Sequence, residues 1–102
     1  MDIHNDTLHL IVLPTIADFK DEGDHLGHCV FTCKYYLHTD SLILSARDSK
    51  NKRWETIEVS LRDFTIVQSQ GYGDNPSDKH KEIIDLVNSN MWQIKDRYKR
   101  AS

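Results

Sequence analysis

Apolar residues recur along this chain with two different spacings, and the change from one to the other divides it into strands and helices. Leu8 to Leu13 is a short apolar run of strand length, closed by Pro14, which has no backbone N–H to donate. Ile16 to Glu22 predicts a helical turn, interrupted at Gly23. From Asp24 to Tyr36 the apolar residues Leu26, Cys29, Val30, Cys33 and Leu37 fall near three and four apart, which predicts a second helix with Asp24 as its N-cap. The period then changes to two. Residues 41–48 and 53–60 alternate, and the polar loop Ser49-Lys50-Asn51-Lys52 between them suits a hairpin. Arg62-Asp63 turns the chain into a third strand over 63–70, and Gly71 to Pro76 reads as a loop. Ser77 is placed to cap a long last helix over 77–98, whose stripe is Ile84, Val87, Met91, Ile94 and Tyr98. That stripe is expected to pack on the Leu42, Leu44, Ile57 and Val59 face, with the 8–13 strand joining the edge of the meander. A run of strands flanked by helices, rather than strict alternation, predicts an α+β fold with a small antiparallel sheet of three to four strands, a central helix and a C-terminal helix on one face.

A length of 102 residues suits one domain over 1–102. An apolar fraction of 38% with 28% charged residues suits a folded globule and argues against disorder. Thirteen basic against 16 acidic residues give a formal charge of −3. Nucleic-acid backbones are bound by accumulated positive charge, so generic nucleic-acid binding is not expected. Lys95, Arg97, Lys99 and Arg100 read instead as cations at the negative end of a helix dipole. Two cysteines, Cys29 and Cys33, are too few for a disulfide framework and read as free thiols in a reducing cytosol. The first six residues carry no lysine or arginine and the Leu10–Leu13 run is short, so neither an export signal nor a membrane span is expected.

The segment Glu22-Gly23-Asp24-His25-Leu26-Gly27-His28-Cys29-Val30 resembles the E-G-x-x-L-x-H-C-V element of PcfJ-like proteins. Further matches follow in order: Arg47 at a strand end, Thr56-Ile57-Glu58 as a T-I-E strand, and Gln68-x-x-Gly71 before the last helix. The resemblance covers roughly residues 15–95. Two positions depart from the pattern: Cys33 stands where the family has an aromatic residue, and Asp74 where it tends to have asparagine. Members are often longer, so the chain reads as a reduced, freestanding version. The resemblance implies a bacterial mobile genetic element and gene clusters linked to conjugation; it implies no mechanism and no cofactor.

Candidate chemistry lies on the sheet and on the second predicted helix. Pairing Asp48 with Arg53 puts Arg47 beside Trp54, on the face of Thr56 and Glu58. A three-residue turn after Ser60 then pairs Glu58 with Ile66 and Thr56 with Gln68. Arg47, Thr56, Glu58 and Gln68 would line one face, a possible binding floor together with Gly71, whereas a turn one residue different sends Gln68 to the other side. The plainer reading, a solvated face or an Arg–Glu pair, is preferred. His28 and Cys29 are neighbours on a helix and point about 100° apart, so a nucleophilic Cys29 needs another base, such as Glu58. A buried cysteine beside a locally bonded histidine is again the plainer reading. His25, Cys29 and Cys33 share a helical stripe, but the outer pair is separated by about 12 Å of helix rise, and no metal site is expected. A non-catalytic interaction domain with a protein partner is thus preferred to a Cys29 hydrolase or transferase and to a nucleic-acid-associated module. The oligomeric state is open.

Overall fold

A computed structural model of the chain describes residues 1–13, 16–27 and 40–99. Five strands form one sheet in chain order, every neighbour antiparallel: β1 (Ile3–His4), β2 (Leu8–Val12), β3 (Ser41–Asp48), β4 (Arg53–Ser60) and β5 (Thr65–Gln70). Helix α1 (Ile16–Leu26) lies between β2 and β3 in the chain, and α2 (His80–Ser89) and α3 (Met91–Tyr98) follow the sheet. The class is α+β, as the sequence predicts. The two-residue β1 is the strand that alternation could not reveal. It turns into β2 through Asn5, whose Oδ1 accepts the backbone N–H groups of Thr7 (2.9 Å) and Leu8 (2.7 Å), an Asx-type turn.

The first helix differs from expectation. It runs through Gly23 without a break, and Asp24 lies inside it, its carboxylate 2.8 Å from Lys20 Nζ one turn earlier. The stop is Gly27, at φ +61°, a left-handed conformation that glycine enters without a Cβ clash. Of the predicted helix over 24–36, residues 24–26 therefore form the last turn of α1, and residues 28–36 lie outside the described residues.

One face of the sheet carries the apolar core. Leu42, Leu44 and Ala46 of β3 and Ile57 and Val59 of β4 pack with Ile3, Leu8, Ile83, Leu86, Val87 and Ile94. Alternation selects these strand positions, and α2 and α3 supply the covering side chains. Ile83 rather than Ile84 is the fully buried member of its pair. The single helix expected over 77–98 is two. Asn90 ends α2 by donating from Nδ2 to Leu86 O at 2.9 Å, and its Oδ1 accepts from Gln93 Nε2 at 2.9 Å in α3. Ser77 lies before the helix start, its Oγ accepting the Lys79 N–H at 3.2 Å.

The β3–β4 register is as predicted from Leu42↔Val59 to Ala46↔Glu55, with Leu44 opposite Ile57. Beyond Ala46 it shifts, so Arg47 faces Arg53 rather than Trp54. The β4–β5 register departs twice from the expected one. The turn is one residue longer, pairing Ser60 with Thr65 and Val59 with Ile66. A bulge at Val67 then pairs Glu58 with Gln68 and Thr56 with Gln70. Side chains alternate with a period of two, so each single-residue offset reverses the facing. Together they send Ile66 to the apolar core and Gln68 to the opposite face, beside Glu58.

Candidate functional site

The second face of the sheet is polar and sits under α1. Its centre is Glu22, wholly buried. Glu22 Oε1 accepts from Ser45 Oγ at 2.8 Å and Arg53 Nε at 2.9 Å, with Arg47 Nη2 at 3.7 Å; Oε2 accepts from Thr56 Oγ1 at 2.5 Å. Arg53 also donates from Nη2 to Asp21 Oδ2 at 2.6 Å, so one guanidinium bridges two successive carboxylates of α1. Arg47 is steadied by its Nε donating to Ser45 Oγ at 3.0 Å and its Nη1 to Asn51 Oδ1 at 3.2 Å. The arrangement ties α1 to β3 and β4. A buried carboxylate is tolerated because guanidinium charge and hydroxyl donors meet both its oxygens.

One pleat along β4, Glu58 forms a second cluster. Ser41 Oγ donates to Oε2 at 2.7 Å and Gln68 Nε2 to Oε1 at 3.1 Å. The four sheet residues proposed from sequence thus do share a face. They divide into two neighbouring sets, Arg47 and Thr56 around Glu22, and Gln68 around Glu58. Gly71 is placed elsewhere, where the backbone passes close to itself: a Cβ there would meet Trp54 O at 2.8 Å and Asn75 O at 3.0 Å. Its glycine identity thus has a packing reason.

Sequence reasoning singled out Glu22 as a motif position but not as the hub, and it missed Ser45, Arg53 and Asp21. It also missed a third buried carboxylate, Glu55, on the apolar face. Ser69 Oγ (2.6 Å) and His80 Nδ1 (2.8 Å) meet its Oε1; Ser77 N (2.7 Å) and Ser77 Oγ (2.6 Å) donate to its Oε2. Burial by itself would raise the pKa of Glu55, but the bonds from Ser69, Ser77 and His80 outweigh it and hold the carboxyl below its ordinary value. A readable signal existed: Glu55 has the parity of Ile57 and Val59, so alternation puts a charge among core positions.

His28, Cys29 and Cys33 lie outside the described residues, and with them the nucleophile and metal readings. His25, the third member of the suggested metal stripe, has its Nδ1 2.9 Å from Asp21 O. Among the described residues no cluster of three metal-ligating side chains occurs, and no helix is long and apolar enough to cross a membrane.

The family model of PcfJ-like proteins matches residues 1–84. This chain belongs to the PcfJ-like family. No curated protein and no solved structure matches it. The match begins earlier than the motif series, taking in β1 and β2, and ends within α2. Every element that builds the Glu22 cluster therefore lies inside the PcfJ-like region, and α3 lies outside it.

Proposed function

We propose that this PcfJ-like chain is a non-catalytic interaction module that binds a protein partner in the cytoplasm, in the service of a bacterial mobile genetic element and its conjugation functions. The observation that supports a binding role over an enzymatic one is the state of Glu22. The motif glutamate, with Arg47 and Thr56, is spent on internal bonds: both its oxygens are engaged and the side chain is wholly buried. A carboxylate held in this way fastens a helix to a sheet. A general base instead needs a lone pair within reach of a substrate proton. Glu58, the base suggested for Cys29, is likewise buried and bonded to Ser41 and Gln68.

The test is the native-state alkylation rate of Cys29 in a Cys33→Ser background, with the stability of Cys29→Ser measured beside it. An interaction module predicts slow alkylation and a destabilised serine variant, the outcome for a thiol that serves as an apolar packing group. Rapid alkylation near neutral pH, with stability unchanged, would instead indicate an accessible activated thiol and replace this reading with the hydrolase or transferase one.

A further inference from the structure

A groove separates the end of α1 from the β3–β4 hairpin and the Tyr72–Asp74 turn. One part, about 580 Å³, is lined by His25, Leu26, Lys50, Asn51, Lys52, Arg53 and Tyr72. A second part, about 270 Å³, shares Leu26, Lys52, Arg53 and Tyr72 with it and continues past Trp54 to Asp78. The two meet around the Tyr72 ring, which is 75% exposed. Gly27 backs that ring: a Cβ there would lie 3.5 Å from it, so one edge is supported while most of the side chain faces solvent. Beside it, the Lys52 ammonium lies 4.2 Å from the Trp54 ring centroid and the Lys79 ammonium 5.1 Å. The indole is pinned by its Nε1 donating to Asp48 Oδ2 at 3.1 Å.

The charges of the groove are unevenly committed. Arg53 is consumed by Asp21 and Glu22. Lys50 and Lys52 form no salt bridge among the described residues, and their backbone N–H groups are fixed on Asp48 Oδ1 at 2.9 and 3.0 Å. A chain of net charge −3 therefore presents two cations, on the β3–β4 hairpin, next to an exposed aromatic ring. Among the described residues Asp78 is the one carboxylate lining the groove, with the Asp48 carboxylate beside Lys52 just outside it.

The geometry points to a single-stranded nucleic acid as the ligand of this groove, one base stacking on Tyr72 and adjacent phosphates meeting Lys50 and Lys52. An aromatic face gains from a base only when that base is out of a duplex stack, and paired cations at the edge of such a platform follow the backbone of a single strand. Duplex DNA offers no free base face, and the acidic remainder of the protein opposes its denser charge. The inference stands apart from the protein-partner reading: its outcome leaves the alkylation result untouched.

The test is fluorescence anisotropy with a labelled oligothymidine single strand, against thymidine monophosphate and a duplex of equal length as competitors. Two phosphate contacts predict a slope of log K against log salt of about −1.4, from roughly −0.7 per contact on a single strand. Tyr72→Ala is expected to weaken binding on the order of tenfold, and Lys50→Gln to make the slope shallower by about 0.7. Both residues are exposed, so melting temperatures should stay at the parent value. Absence of binding at low salt, binding indifferent to both variants, equal competition by the duplex, or monophosphate competing as well as the oligomer would each overturn the proposal.

Discussion

Adjacent residues of β4 meet buried carboxylates on opposite faces of the sheet, Thr56 bonding Glu22 of α1 on one and Glu55 lying on the other, and the two faces satisfy them differently. On the α1 face Glu22 is met by two guanidiniums and two hydroxyls. On the α2 face Glu55 is met by two serine hydroxyls, one backbone N–H and a histidine. The first cluster balances buried charge with charge of fixed sign, since arginine stays protonated at all accessible pH. The second holds its carboxylate with dipoles and a titratable ring. The contrast teaches that burial alone says little about a glutamate's role. What remains when the carboxylate is removed differs: guanidinium groups on one side, hydroxyl, N–H and imidazole groups on the other.

The largest expected effect follows from that difference. Glu22→Ala leaves Arg47, 13% exposed, without its carboxylate and Arg53, 12% exposed, with Asp21 alone, and should destabilise the fold by about 3–5 kcal/mol. The urea midpoint measures this directly, and a loss no larger than that of Glu55→Gln would erase the distinction between the faces. The apolar face supplies an intermediate effect. Ile83→Ala removes a wholly buried side chain and should cost about 2–5 kcal/mol, whereas Ile84→Ala, partly exposed, should cost clearly less. Equal losses at the two positions would mean that α2 is rotated from the described orientation.

Glu55→Gln gives the smallest of these effects, about 1.5–3 kcal/mol near neutral pH from weaker bonds to a neutral acceptor, but the most diagnostic pH dependence. The folded pKa of Glu55 lies below its ordinary 4.5, so near that pH the unfolded chain binds the extra proton. The stabilisation is therefore complete above the unfolded pKa and is lost as pH falls through the lowered folded value. Acid titration of the melting temperature should show this loss in the parent and less of it in Glu55→Gln. Parallel curves would remove the electrostatic account of the α2 face.

Periodicity made legible whatever period two and period three-to-four encode: the β3–β4 pairing through Ala46, the apolar face, and the helices beyond Gly71. It failed where one residue breaks a period. Of two glycines four apart, Gly23 was read as the stop, yet only Gly27 has the positive φ that ends α1. Nothing in local pattern separates them: Gly23 follows the sheet-bonded Glu22 and stays within the helix. The split at Asn90 was hidden because apolar spacing continues across it from Val87 to Met91 and Ile94. The polar face was foreseen as a set of strand residues, but its hub comes from α1, and partnerships between distant segments leave no trace in spacing. His28 and Cys29 are legible only as motif positions.

The bulge in β5 has a consequence for chain length. Val67 is opposite no residue of β4 and is 56% exposed. Excising it would leave Thr65, Ile66, Gln68, Ser69 and Gln70 facing Ser60, Val59, Glu58, Ile57 and Thr56 in unbroken succession, with every side chain on the face it already occupies. The outer strand thus carries a spare residue and can absorb a one-codon deletion. The interior strand β4 has no such slack from Glu55 to Glu58, where losing a residue would turn Glu55 out of its serine and histidine shell or Thr56 away from Glu22. Insertions and deletions among related chains should accordingly collect at the β5 margin of the sheet and avoid its middle.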